Sequence, residues 1–294
     1  MNGRRSWLID RIRAGLGYRF PPLGQHGYRA VTQALPRRVD VELFPGVALE
    51  LDLDDETQCV TFWQGARFEH PTPRVLAEWG RNADAFFDIG ANYGFYSYWM
   101  MSRCPRLTVH AFDPTPAHAE LMQAVRKRNR LEQFHIHGVA LGDRHARLPL
   151  HLGSTDSGHS TFGQHPGLTG ASIEVDVIPF DTWRPSTGLE LPASPRWIAK
   201  IDVEGYELNV LKGMETALRA QAFAGLAVEV NRFTLGLFGL TERDIDEFLA
   251  ACRYVRAPGI DTGCARSPGC YNAFFIPARV ENQTAVAAGR SPEG

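Results

Sequence analysis

The stretch Phe86–Ser97, FFDIGANYGFYS, constrains this 294-residue chain more than any other. An apolar run ends in Asp88, two glycines follow at Gly90 and Gly94, and an aromatic segment begins at Phe95. This pattern reads as a buried strand, a tight turn and the start of a helix. A turn of this kind at the carboxyl end of a parallel strand is where open α/β sheets bind ligands.

The spacing narrows the ligand. A dinucleotide fingerprint needs G-x-G-x-x-G so that a pyrophosphate can approach the backbone. Here Asn92 occupies the middle glycine position and the pattern is D-x-G-x-x-x-G. A carboxylate at Asp88 repels phosphate and attracts an ammonium group. The turn from Gly90 through Ala91, Asn92 and Tyr93 to Gly94 therefore suits S-adenosylmethionine, a nucleoside with a cationic amino-acid tail and no phosphate. The plainer alternative is a turn that only lets helix and strand pack closely.

A formal net charge of −2 gives no basic field that would favour nucleic acid. The five cysteines form no C-x-x-C pair, which fits a reducing cytoplasm better than a disulfide framework, although Cys264 and Cys270 flank one loop. No apolar run is long enough for a membrane-spanning helix. Residues 1–38 form an N-terminal extension with one short helix among Arg4, Arg5, Arg11 and Arg13. It packs on the main domain or, less simply, touches a membrane surface. The main domain spans 39–278, and the polar tail 279–294 lacks periodicity and is expected to be disordered.

Residues 39–53 alternate around Pro45-Gly46 and read as a hairpin. Residues 72–80 form a helix, with Thr72 as its cap. The second core strand, 107–112, ends in Asp113-Pro114, one βαβ repeat after Asp88, where an acid can hold both hydroxyls of a ribose. A third strand, 134–140, leads to Asp143, placed near the adenine by the same geometry or simply part of a Gly-Asp turn. Two alternating strands, 147–152 and 172–178, enclose a loop carrying His159 and His165, either a general base at His159 or solvated histidines. Residues 180–196 read as a Pro-rich connection. The fourth strand, 197–201, ends in Asp202-Val203-Glu204, two carboxylates suited to acid–base work or to a cation, with a helix over 206–220. A fifth strand carries Glu229, a helix capped at Thr241 follows, and 271–276 is the last strand.

Taken together, FDIGANYGFYS at 87–97, VHAFDPTP at 109–116, GVALGD at 138–143 and IAKIDVEGYELNVLKGM at 198–214 resemble the FkbM family of S-adenosylmethionine-dependent methyltransferases. Gly158–Thr161 also fits a G-x-S-[ST] segment of that family. The resemblance implies an α/β fold of class I methyltransferase type: a Rossmann-like seven-stranded sheet, one strand antiparallel near its edge, with helices on both faces. It implies O-methylation of a sugar, glycolipid or polyketide hydroxyl, and cofactor contacts at Asp88, Gly90–Gly94, Asp113, Pro114 and Asp143. One departure is Asp113, where the family usually has Glu. Asp202 is expected at the boundary between cofactor and acceptor, with Glu204 or His159 taking the proton. No metal is assigned, although Asp202, Glu204 and Glu229 could supply oxygen ligands to Mg²⁺. The alternatives are a cofactor-binding protein without catalysis and a nicotinamide-linked oxidoreductase, which the missing middle glycine disfavours.

Overall fold

The computed structural model of the chain describes residues 32, 35–153, 157–164, 168, 171–258, 260 and 269–278. The expected N-terminal helix with its membrane contact, His165, Cys264 and the tail from 279 lie outside these residues.

The hairpin forms as its alternation implies: β1 (Arg38–Phe44) pairs antiparallel with β2 (Val47–Asp52). Two helices follow, α1 (Glu56–Gln64), capped by Asp55 on Gln58 N, and α2 (Thr72–Gly80). Thr72 is the first residue of α2 rather than its cap; Pro71 holds the cap position, and no side chain serves there.

The remaining elements alternate strand and helix. They are β3 (Ala85–Ile89), α3 (Phe95–Arg103), β4 (Thr108–Phe112), α4 (Pro116–Asn129), β5 (Phe134–His137) and β6 (Ala140–Leu141). Next come β7 (Ala146–His151), β8 (Ser172–Ile178), α5 (Phe180–Ser186), β9 (Trp197–Ile201), α6 (Glu207–Gly213) and α7 (Glu215–Arg219). The chain continues through β10 (Phe223–Asn231), α8 (Arg232–Leu237), α9 (Glu242–Ala251), β11 (Tyr254–Arg256) and β12 (Cys270–Pro277).

Seven strands form one sheet in the order β11-β12-β10-β9-β3-β4-β5. The five strands from β10 to β5 run parallel, and β12 is antiparallel to both of its neighbours. This is the α/β sheet expected of the class. Period-2 alternation divides its core. Phe86 and Ile198 face a layer built from the hairpin and α1–α4, whereas Phe87, Ile89, Trp197 and Ile201 face α5–α9. Burial on both faces is why these strands read as continuous apolar runs.

Three expectations are corrected. The strand expected over 134–140 is two: β5 ends at His137, and β6 leaves the sheet to pair with β8 in a separate three-stranded sheet, β6-β8-β7. The Pro-rich connection contains α5, whose Trp183 packs against the sheet. The helix expected over 206–220 breaks at Met214, which ends α6 and starts α7. The helix after Thr241 forms with the expected capping box to Asp244. Among the described residues no helix is long and apolar enough to cross a membrane.

One face of β4 and β5 carries a pile of imidazoles. His110 stacks on Phe87 at 5.3 Å, on His135 at 5.0 Å and on His137 at 5.5 Å, with Trp183 edge-on to it. Burial, then the neighbouring rings, lowers the pKa of His110 to about 3 and that of His137 to about 4. These side chains are neutral when folded, so the unfolded chain binds more protons below its ordinary histidine pKa. Their contribution is complete above about pH 6.5 and is lost as pH falls towards the depressed values. Each imidazole kept neutral then costs about 2 kcal/mol of stability between pH 7.5 and 5. Urea unfolding of His110→Phe at the two pH values is expected to show a pH dependence smaller than wild type by about that amount. An unchanged difference would contradict the assignment.

Candidate active site

The cleft is built where β3 and β9 end side by side. Asp202 N donates to Ile89 O at 2.9 Å, and Gly90 follows at φ +80°. A Cβ on Gly90 would lie 1.8 Å from the Asp202 carbonyl oxygen, so only glycine allows the two turns to meet. Gly90 N and Ala91 N both donate to Phe112 O at 3.0 Å, which ties the first turn to the end of β4.

Asp88 has a different place from the one expected. It is buried at 1% exposure, does not line the cleft, and accepts from Ser97 N at 2.9 Å and Ser97 Oγ at 2.6 Å. Gly94, at φ +95°, is the N-cap of α3 and has no side chain to offer its amides, so the strand acid caps the helix instead. Burial raises the Asp88 pKa to about 6, against the Ser97 hydrogen bond and the charge of Lys200. The residues of the turn that face the cleft are Gly90, Ala91, Asn92 and Tyr93; Gly94 packs on Tyr98.

Asp113 and Pro114 line the cleft. Asp113 Oδ2 accepts from Asn92 N at 2.8 Å, and Oδ1 accepts from Thr115 N at 2.9 Å with His118 Nδ1 at 3.0 Å. Burial opposes protonation of His118, but the charge and hydrogen bond of Asp113 raise its pKa overall. His118 was not anticipated. Its signal is its position early in the helix that starts right after Asp113-Pro114, which brings it back over the acid. Asp143 stands outside the lining, bonded to Arg144 at 3.0 Å, because β6 carries the chain away after Leu141. Ala140 and Leu141 face the cleft there instead.

Asp202 and Glu204 occupy the opposite wall. Lys200, fully buried, donates to Asp202 Oδ2 at 2.8 Å and lies 5.3 Å from the Tyr96 ring centre. Burial opposes its charge, but Asp202, Glu229 and Glu69 raise its pKa above the ordinary lysine value. Glu204 has φ +50°. Its turn is held by Glu207, which accepts from Val203 N and Gly205 N at 3.1 Å each, and by Thr161 Oγ1, which donates to Glu204 O at 2.7 Å. Burial raises the Glu207 pKa to about 7. His159 is exposed, in a short 3-10 turn at the rim. Glu229 from β10 completes the wall, and one oxygen each from Asp202, Glu204 and Glu229 lies within 4.8 Å of the others. Burial, then the neighbouring carboxylates, raises the Glu229 pKa well above its ordinary value.

These surfaces enclose a cleft of about 370 Å³, in the range of small-molecule sites. Among the described residues no lysine or arginine lines it. The donor set fits S-adenosylmethionine better than a dinucleotide. It offers a carboxylate for hydroxyls at Asp113, apolar walls at Phe112, Ala140 and Leu141, and no cation for a phosphate.

The family model described as Methyltransferase FkbM domain matches residues 88–256, more than half of the chain. The chain belongs to the FkbM methyltransferase family. Among curated proteins, it is 27% identical over 192 residues to the hexuronic acid methyltransferase AglP of Haloferax volcanii, covering 64% of this chain and 70% of that one. It is 30% identical over 165 residues to the 31-O-demethyl-FK506 methyltransferase FkbM of Streptomyces tacrolimicus, covering 47% and 62%. Across the curated relatives it matches, the chain spans 59% to 70% of their length. Among solved structures it aligns with M. jannaschii TYW2 in complex with AdoMet at 11% identity and TM-score 0.40, over 82% of this chain and 87% of that one.

The Gly90 contact gives a direct test. Gly90→Ala places a methyl group against the Asp202 carbonyl at a positive φ, and should lower stability by about 3 kcal/mol or more. Thermal unfolding checks it, and a melting temperature equal to wild type would refute the contact.

Proposed function

We propose that the protein is an S-adenosylmethionine-dependent O-methyltransferase acting on a hydroxyl of a saccharide, glycolipid or polyketide-type acceptor. The observation that carries this reading is the polarity of the cleft. One wall, with Asp113 and Leu141, suits a nucleoside. The other gathers Asp202, Glu204 and Glu229 at the strand ends. The relatives named for a hexuronic acid and for 31-O-demethyl-FK506 support an oxygen acceptor. Cys104 and Cys252 are free thiols, in keeping with a cytoplasmic protein.

In this reading Asp113, fixed by Asn92 N and His118, receives the ribose hydroxyls, and the Gly90–Tyr93 turn faces the amino-acid end. The bound cofactor supplies an already electrophilic methyl group. What remains for the chain is to align an oxygen and to accept its proton, because an aliphatic hydroxyl is a poor nucleophile. Lys200 holds Asp202 at the boundary between the two walls. Glu204, anchored through its own backbone by Thr161, takes the proton, with His159 at the rim as the second candidate. Asp88 and Asp143 serve the scaffold.

Labelled methyl transfer to a set of uronic-acid and neutral-sugar glycosides tests this reading. Wild type is expected to release S-adenosylhomocysteine with at least one of them. Glu204→Gln should then lose about 100-fold in turnover, while calorimetric affinity for S-adenosylhomocysteine stays within about twofold. Unchanged turnover would remove Glu204 from the mechanism. Cofactor binding without transfer to any acceptor would favour the non-catalytic alternative.

A further inference from the structure

We infer that Asp202, Glu204 and Glu229, with Asn272, form a site for one divalent, oxygen-preferring cation at the inner end of the cleft. The site needs only the carboxylate geometry; its role beside the acceptor hydroxyl rests on the methyl-transfer reading above.

Three carboxylates on two adjacent strand ends each bring an oxygen within 4.8 Å of the other two. Like charges this close repel strongly away from bulk water. Lys200 donates its ammonium to Asp202 Oδ2. It reaches the set from below, since Lys200 is fully buried and does not line the cleft.

A second observation points to a ligand. Glu229 Oε1 accepts from the Cys270 thiol at 3.3 Å, but Glu229 Oε2 is sealed from solvent and has no hydrogen-bond partner. On the neighbouring strand Asn272 sits opposite Glu229 in register, and its Oδ1 is likewise buried and unpartnered. Both residues are on the cleft wall. Buried polar atoms without partners are rare and costly. Both are acceptor oxygens on adjacent strands, and Glu229 is itself one of the three clustered carboxylates.

The ligand chemistry follows from the donor atoms. All four groups offer oxygen, the three clustered within 4.8 Å among the described residues are all carboxylates, and the Cys270 thiol is already directed to Glu229. Such a set selects hard cations such as Mg²⁺, Mn²⁺ or Ca²⁺ over Zn²⁺ or copper. Its open side faces the cleft, which leaves room for water or for a hydroxyl of the acceptor. A cation there would acidify a bound hydroxyl and relieve the repulsion among the three acids.

MnCl₂ titrated into the full chain, followed by the electron paramagnetic resonance of free Mn²⁺, tests the inference. One Mn²⁺ per chain should bind with Kd below about 1 mM, and Glu229→Gln and Glu204→Gln should each weaken it at least tenfold. Circular dichroism confirms that a variant is folded, and two separate variants guard against one of them failing to fold. Absence of bound Mn²⁺ at several times that concentration would overturn the site, as would equal affinity in both folded variants. The two readings fail separately. Wild type that binds S-adenosylhomocysteine by calorimetry but no Mn²⁺ loses only the cation site. Wild type that binds Mn²⁺ but not S-adenosylhomocysteine loses only the methyltransferase reading.

Discussion

Everything in the cleft depends on how closely the end of β3 approaches the end of β9. The Gly90 α-carbon sits against the Asp202 carbonyl with no room for a side chain, and the Asp202 amide reaches back to Ile89. Two parallel strands twist apart beyond their last pairing, so this contact is what keeps the glycine turn and the carboxylate turn at one mouth. The first turn is in turn bound to β4 through Phe112 O and Asp113, so hydrogen bonds join three strand ends in one rim.

Beneath that rim lies a row of buried charge. Asp88 and Lys200 are register partners on β3 and β9, and Lys200 continues to Asp202. Buried ions are costly unless each has partners, and here each does: Ser97 for Asp88, Asp202 and the Tyr96 ring for Lys200. The row aims Asp202 from below, so its orientation is a property of the scaffold rather than of a loop. The facing wall has a parallel device in the Asp113–His118 pair. Both walls thus hold a carboxylate fixed in advance by a cationic or protonatable neighbour.

Much of this was legible in the residues. The strands over 85–89 and 197–201 are apolar apart from one charged residue each, Asp88 and Lys200, and the structure places them there. The hairpin and the Thr241 cap carry local signals strong enough to survive packing. What was not legible depends on contacts distant in sequence. Asp88 reads as an acid for an ammonium because its partner, Ser97, lies nine residues on and across a turn. The substitution of a strand carboxylate for a missing glycine side chain at the α3 N-cap has no short-range pattern. Asp143 lies outside the cleft lining because the strand stops at His137 and β6 pairs with β8 instead, a change of sheet with no local signal. Helix α5 was hidden by its prolines and is held by Trp183 packing on the histidine pile. His118 and Asn272 carry no motif of their own and acquire meaning only from what the fold sets beside them.

The central claim is that the cleft between the Gly90 turn and Asp113 holds a phosphate-free nucleoside. A crystal structure of the protein with S-adenosylhomocysteine tests it most directly. The account predicts the ribose hydroxyls within hydrogen-bonding distance of Asp113 and the amino-acid end against the Gly90–Tyr93 turn, with Asp88 still bonded to Ser97. A nucleoside bound elsewhere, or one whose ribose makes no contact with Asp113, would contradict it.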